Sequence, residues 1–282
     1  MKNFYIIVNE EKENTRKVRQ DIEAYVRERG GSCRFSKGVY KRGSRYTSKA
    51  DILPDTDCVI TLGGDGTLIQ AARELAGVEI PIVGINLGGL GYLTQMGRDG
   101  DVRGLLDALL EDRYEIEDRM MLEGRAWHDG KLIAEHIALN DVVMTREGEL
   151  RVLRFKIYVN DRFLYEYSAD GMIVATPTGS TAYNLSAGGP VAQPEGQMLL
   201  LTPICAHTLT ARTIVLGANS RIKIEVSMKN DGNQMAVFDG DTRVILGQGD
   251  FIEIVRSEMT TRVIKLDDRS FLDILKRKMY NA

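Results

Sequence analysis

Cysteine is scarce: the 282-residue chain holds Cys33, Cys58 and Cys205. They lie far apart, form no CxxC pair and have no metal-ligand spacing. A disulfide framework is therefore not expected, and free thiols in a reducing compartment are. Histidine is as rare, and His128, His136 and His207 make no HExxH arrangement, which argues against a zinc hydrolase. Long apolar runs are missing too. The first run, Phe4 to Val8, is too short for a signal-peptide core, and no stretch nears the ~18 apolar residues of a membrane span. The expectation is a cytoplasmic protein. Charge of one sign is also absent: 37 Lys and Arg stand against 40 Asp and Glu, a net charge of -3. That disfavours wholesale nucleic-acid binding and leaves room only for a local basic patch.

Glycine is plentiful, at 28 residues, and it clusters at 63–66, 84–91, 171–189 and 240–249. Clustered glycine between apolar segments marks tight turns and close approach to the backbone. The length suits two domains and can bury a substantial core.

The first hundred residues alternate strand and helix patterns. "FYIIV", "CVITLG" and "IPIVGIN" are short apolar runs. "NTRKVRQDIEAYVRERGG" carries Val18, Ile22 and Val26 at helical spacing before a glycine stop, and "TLIQAARELAG" and "VRGLLDALLEDRY" also read as helices. Such alternation implies a parallel sheet covered on both faces. Residues 36–51 are polar, basic and unpatterned and read as a mobile loop. Beyond about residue 119 the pattern becomes strands and turns, with "VNDRFL" and "FDGDTRV" as hairpin turns. "RSFLDILKRKM" returns to helical spacing. The expected architecture is an α/β N-terminal domain with a Rossmann-like parallel sheet, residues 1–118 plus 265–282, and a β-rich domain, residues 119–264. The C-terminal tail would return to the first.

Four stretches carry chemistry. "TLGGDGTLIQAA" (61–72) is a glycine turn between a strand and a helix. Ligands of open α/β sheets bind at the carboxyl ends of strands, and helix starts attract anions. Gly63, Gly64, Gly66 and Thr67 would form a phosphate loop, although neither a Walker A nor a GxGxxG spacing is present. Asp65 at its centre is either a helix cap or a general base facing a hydroxyl that attacks the phosphate. "NLGGLGYLT" (86–94) follows the next strand at the same edge. "LNDVVM" (139–144) sets Asn140 and Asp141 in an apolar strand, a pattern that on its own is more often a turn or bulge. "DGMIVATPTGSTAYNLSAGGPV" (170–191) gathers small hydroxyls, an amide and Tyr183, which suits an adenosine-like ligand or a plain Ser/Thr-rich loop. It lacks GxSxG spacing, so Ser180 is not read as a nucleophile.

Together, and in order, these stretches resemble the NAD kinase family, and "LTPICAHTL" and "FDG" fit it too. GGDGT alone is shared with diacylglycerol, sphingosine and related lipid kinases and with phosphofructokinases; TPTGSTAYNLSAGGP is the specific part. The resemblance implies transfer of the γ-phosphoryl group of ATP, another nucleoside triphosphate or polyphosphate to the 2′-hydroxyl of the adenosine ribose of NAD, with a divalent cation, Mg2+. It makes Asp65 the proton acceptor with Gly66 beside it. Asn140, Asp141 and Asp170 would hold the dinucleotide. Thr181, Ala182, Tyr183, Asn184 and Ser186 would line the adenine, with Tyr183 against its ring, and Asn86 would sit near the phosphates or the adenine. Ser168, where relatives carry Arg or Lys, and Asp241, where several carry Gln or Arg, depart from the family; these positions and Ser180 are looser members of the site. Tyr92 stands where Phe is more usual. No protein metal ligand is implied. A homodimer or homotetramer is implied, with no nucleic-acid or membrane partner. The alternatives are a lipid-kinase-like enzyme of the GGDGT superfamily and a nucleotide sensor without turnover.

Overall fold

Apolar runs without polar alternation become the middle strands of a parallel sheet. The structure is a computed structural model and describes residues 1–9, 15–36, 47–86, 91–94, 101–148, 152–208, 211–230, 234–266 and 270–280. The chain divides into two compact units: Met1–Asp118 with Thr261–Ala282, and Arg119–Thr260.

The first unit runs β1 (Asn3–Val8), α1 (Thr15–Glu28), β2 (Ser32–Phe35), β3 (Cys58–Leu62), α2 (Asp65–Glu74), β4 (Ile82–Ile85) and α3 (Val102–Leu110). Its strands lie side by side in the order β2-β1-β3-β4, all parallel. Every residue of β3 and β4 is buried, as a strand covered on both faces requires. Ile22 and Val26 of α1 are buried in the same core as Ile6, Ile60, Val83 and Leu106, with Val18 packed against it. The helical spacing thus marks the core face. The short β2 carries no apolar pattern and is absent from the sequence expectation. Of the expected loop, residues 37–46 lie outside the described residues. Lys49–Asp51 is a 3-10 turn, and its preceding Ser48 Oγ accepts from Ala50 N at 3.1 Å.

The second unit contains β5 (Glu115–His128, which starts in the first), β6 (Lys131–Ala138), β7 (Asp141–Arg146), β8 (Leu153–Val159), β9 (Arg162–Ala169) and β10 (Gly171–Ala175). Next come α4 (Tyr183–Ser186), β11 (Met198–Ile204), β12 (Ile214–Gly217), β13 (Ile222–Val226), β14 (Gln234–Phe238), β15 (Thr242–Leu246) and β16 (Phe251–Lys265). One antiparallel array is ordered β12-β11-β10-β7-β14-β15. In another, β16, β13, β8 and β9 are consecutive neighbours, and β5 pairs with both β16 and β6. Phe155, Ile224 and Ile252 of one array and Val174, Leu199 and Phe238 of the other share one buried cluster. Both expected hairpins form. Asn160 and Asp161 have φ of 50° and 62°, and Asp239 and Gly240 have 49° and 71°, the left-handed conformations that a tight hairpin needs.

β16 ends in the first unit, where Val263 pairs in parallel with Ile82. Arg262 Nη1 donates to Glu79 O at 2.9 Å. The final helix, α5 (Phe271–Tyr280), belongs to this unit, and Lys278 Nζ lies 5.4 Å from the centre of the Tyr92 ring.

Gly124 of β5 is a close-approach position: a Cβ there would lie 2.6 Å from the buried ring edge of Phe238. Gly124→Ala is expected to lower unfolding free energy by about 1–3 kcal/mol, the usual overpacking penalty. Urea denaturation checks this, and an unchanged midpoint would show that the ring yields freely.

Candidate active site

In the first unit, the glycine turn and the segment starting at Asn86 leave the carboxyl ends of neighbouring parallel strands. Gly63 N donates to Ile85 O at 3.0 Å. Gly64 is the N-cap of α2 and makes no side-chain cap bond, so the helix start presents backbone N–H groups toward the turn. Asp65 follows as the first helical residue and is not the cap. Its carboxylate instead reaches a distant segment. Oδ2 accepts from Tyr92 N at 2.7 Å, and Oδ1 accepts from Thr94 Oγ1 at 2.9 Å, Thr94 N at 3.0 Å and Leu93 N at 3.3 Å. Residues 87–90, the rest of the "NLGGLGYLT" stretch, lie outside the described residues.

The glycines of this turn have different causes. A Cβ at Gly63 would overlap Thr67 Oγ1. Gly63 and Thr67, both expected on the phosphate loop, pack on each other with Thr67 buried. At Gly64 and Gly66 an added Cβ would meet no atom of the described residues within 4 Å, and Gly64 has an ordinary φ of -97°. Neither fold nor conformation demands glycine there. Their open faces suit a group from outside the chain. Asn86 is buried at the head of its segment.

In the second unit, Asn140 and Asp141 form the corner between β6 and β7. Asp239 holds that corner: its Oδ2 accepts from Leu139 N at 2.8 Å, and its Oδ1 from Asn140 N at 2.7 Å and Asp141 N at 3.1 Å. Thr176 binds the other side, through N to Asn140 O at 2.8 Å and Oγ1 to Leu139 O at 2.7 Å. Gly179 lies so close that a Cβ would overlap the Asn140 carbonyl. Asn140 is thereby buried, and among the described residues its Oδ1 has no hydrogen-bond partner, nor has buried Thr178 Oγ1. Such orphaned groups cost about 1–3 kcal/mol each and suggest atoms waiting for a ligand. Asp141 is 4% exposed; burial first, and the Asp239 charge second, push its carboxyl up to about 8.

The long signature splits into an inward and an outward half. Asn184 is fully buried: its Nδ2 donates to Ser180 O at 3.1 Å and Pro190 O at 3.0 Å, and its Oδ1 accepts from Thr202 Oγ1 at 2.6 Å. Ser180 Oγ donates to Ala192 O at 3.1 Å and accepts from Ala192 N at 3.0 Å. The side chains of Asn184 and Ser180 are thus occupied within the protein, holding the loop to itself and to β11. Tyr183 is 47% exposed and Ser186 is exposed, while Thr181 and Ala182 are half-buried; these four remain available. Asp170 accepts from Arg146 Nη1 at 2.7 Å and is partly exposed. Half-buried Ser168 uses its carbonyl to accept from His207 N at 2.8 Å. Half-buried Asp241 sits in the β14–β15 turn, with its N donating to Phe238 O at 3.0 Å.

Sequence reasoning missed the partners of Asp239 and Thr94 and the buried hydroxyl of Thr178, unpaired among the described residues. Only Asp239 had a local cue, the Asp-Gly of a hairpin. The raised carboxyl of Asp141 has a pH consequence. Folding takes up a proton between the unfolded value near 4 and the folded value of about 8. The associated stability is full below pH 4 and is lost as pH rises to 8. Relative to wild type, Asp141→Asn is expected to gain stability between pH 5 and 8, by at most about 1.4 kcal/mol per pH unit. Chemical denaturation across that range checks it, and a flat difference curve would contradict it.

Comparison with known proteins places this geometry. Residues 4–114 match the model for the ATP-NAD kinase N-terminal domain, and residues 139–266 the model for the ATP-NAD kinase C-terminal domain. An NAD kinase from Lachnospira eligens is 44% identical over 99% of this chain and 100% of its own length. One from Agathobacter rectalis is 43% identical over 100% and 99%. Among solved structures, yeast NADH kinase complexed with NADH superposes with a TM-score of 0.88 at 23% identity, over 99% of this chain and 88% of its own. An NAD kinase from Archaeoglobus fulgidus in complex with ATP gives 0.77 at 23% identity, over 97% and 98%. Those two likenesses bear on the fold. The two-domain match and the full-length relatives establish that this chain belongs to the NAD kinase family.

Proposed function

We propose that the chain transfers the γ-phosphoryl group of ATP, or of another nucleoside triphosphate or polyphosphate, to the 2′-hydroxyl of the adenosine ribose of NAD, giving NADP. The observation that carries this reading is a fixed carboxylate, Asp65, in a turn whose Gly64 and Gly66 present open faces at a helix start. Full-length relatives named NAD kinase support the substrate, and the lipid-kinase alternative has no support among them.

The first unit would bind the phosphates through the backbone of Gly64, Gly66 and the first turn of α2. Asp65 orients the ribose hydroxyl and accepts its proton as the oxygen bonds to the γ-phosphorus and the bond to the leaving ADP breaks. An ordinary aspartate does not strip an alcohol outright; the transfer comes late, as charge develops. The second unit would bind the dinucleotide. Asn140 Oδ1 and Thr178 Oγ1 gain partners, protonated Asp141 donates, Asp170 is held by Arg146, and Tyr183 stacks on adenine. A divalent cation, Mg2+, would neutralise the triphosphate. Among the described residues no three of His, Cys, Asp and Glu cluster as a cage.

The proposal includes a cytoplasmic homodimer or homotetramer. No described helix is long and apolar enough to cross a membrane. Phe163, Leu164 and Tyr165 stay exposed on β9, an apolar surface suited to association; light scattering reads the mass.

Purified protein with Mg2+, ATP and NAD is expected to form NADP, read with an NADP-specific dehydrogenase. Asp65→Asn should lower kcat by roughly 10²- to 10⁴-fold with KM for NAD little changed; activity within threefold of wild type would remove Asp65 from the role. Tyr183→Ala should raise KM for NAD more than for ATP. An unchanged NAD KM would take the ring out of the site.

A further inference from the structure

The Asp65 carboxylate is held unevenly, and its role as proton acceptor does not by itself require that. Oδ1 takes three donors, two of them from Thr94, whereas Oδ2 takes one, Tyr92 N. A carboxylate oxygen offers about two lone-pair sites. Oδ1 is therefore filled, and Oδ2 keeps room for one more hydrogen bond.

Thr94 is itself built in. It is 2% exposed. A Cβ at Gly91 would overlap both Asp65 Oδ1 and Thr94 Oγ1, and a Cβ at Gly84 would lie 2.6 Å from Thr94 Cγ2. Two glycines, one in β4 and one just before the 92–94 segment, thus leave the space in which threonine and aspartate meet. The methyl of Thr94 fixes the side chain, and its hydroxyl fixes the carboxylate.

We propose that Thr94 is a positioning residue for phosphoryl transfer: its hydroxyl locks the plane of the Asp65 carboxylate so that Oδ2 is the oxygen presented to the ribose 2′-hydroxyl. This rests on Asp65 being the proton acceptor. The 2′-oxygen bonds to the γ-phosphorus, the bond from that phosphorus to the bridging oxygen breaks with its electron pair leaving on ADP, and the proton passes to Oδ2. Thr94 touches no substrate. It acts by keeping Asp65 from turning, and misplacement of a catalytic group by about 1 Å costs on the order of 10²-fold in rate.

Thr94→Ser and Thr94→Ala both lack Cγ2 and differ only by the hydroxyl, and Thr94→Val keeps the shape without the hydroxyl. Each is assayed as the full chain with NAD and ATP, below its own melting transition. Thr94→Ser should hold kcat within about threefold of wild type. Thr94→Ala and Thr94→Val should lose roughly 10- to 100-fold in kcat, with KM for both substrates within about threefold. Serine performing as poorly as alanine would assign Thr94 to packing and overturn the proposal. So would wild-type kcat in Thr94→Ala and Thr94→Val, or a raised KM with kcat preserved. Asp65→Asn run in parallel separates the two readings. If it keeps wild-type kcat, the proton-acceptor reading falls and takes this one with it. If it collapses while the alanine and valine variants do not, only the positioning role falls.

Discussion

A carboxylate that collects consecutive backbone N–H groups organises each half of this protein. Asp65 draws in the amides of residues 92–94, and Asp239 draws in those of 139–141. Charge-assisted bonds of this kind are roughly twice as strong as neutral ones. Three donors on one group also specify direction as well as proximity. In both places the anion is the protein's own, and it gathers three consecutive residues of a segment distant along the chain.

The two corners are put to different ends. At 139–141 the gathered backbone forces an amide oxygen and a carboxyl into the interior, one without a partner and the other with its proton retained near neutral pH. At 65 the gathered segment surrounds the carboxylate and leaves it half-exposed. One arrangement stores polar need, which favours ligand recognition. The other restricts the motion of a carboxylate, as the proposed role of proton acceptor requires.

Much of the fold was legible in the chain. β3 and β4 announce themselves as unbroken apolar runs, α1 by Val18, Ile22 and Val26, and the hairpins by Asn-Asp and Asp-Gly. β2 was not legible, because its four residues carry no alternation and only the edge of β1 makes them a strand. At the site, the positions of Asp65, Asn140 and Asp141 were readable from local pattern, but their partners were not. Asp239 lies 98 residues or more from the amides it binds, and Thr94 lies 29 from Asp65. Spacing along the chain holds no trace of either pairing. The signature around Asn184 hid its internal bonds in the same way: spacing does not show that this amide donates to the loop's own carbonyls.

The empty space beside Gly64 and Gly66 has a consequence for how variation in this protein would be felt. Gly66 lies in the first turn of α2, where alanine is intrinsically the better helix former by up to about 1 kcal/mol. The chain forgoes that gain. A change there would yield a protein that folds, accumulates and resists heat at least as well as its parent while its turn is blocked. Selection acting on abundance would not see such a change, whereas a side chain at Gly63 or Gly179 would collide with Thr67 or with the Asn140 backbone and lower stability, by about 1–3 kcal/mol for ordinary overpacking. The same residue type, a few positions apart, is thus guarded by two different filters, one on the amount of protein and one on what each molecule can do.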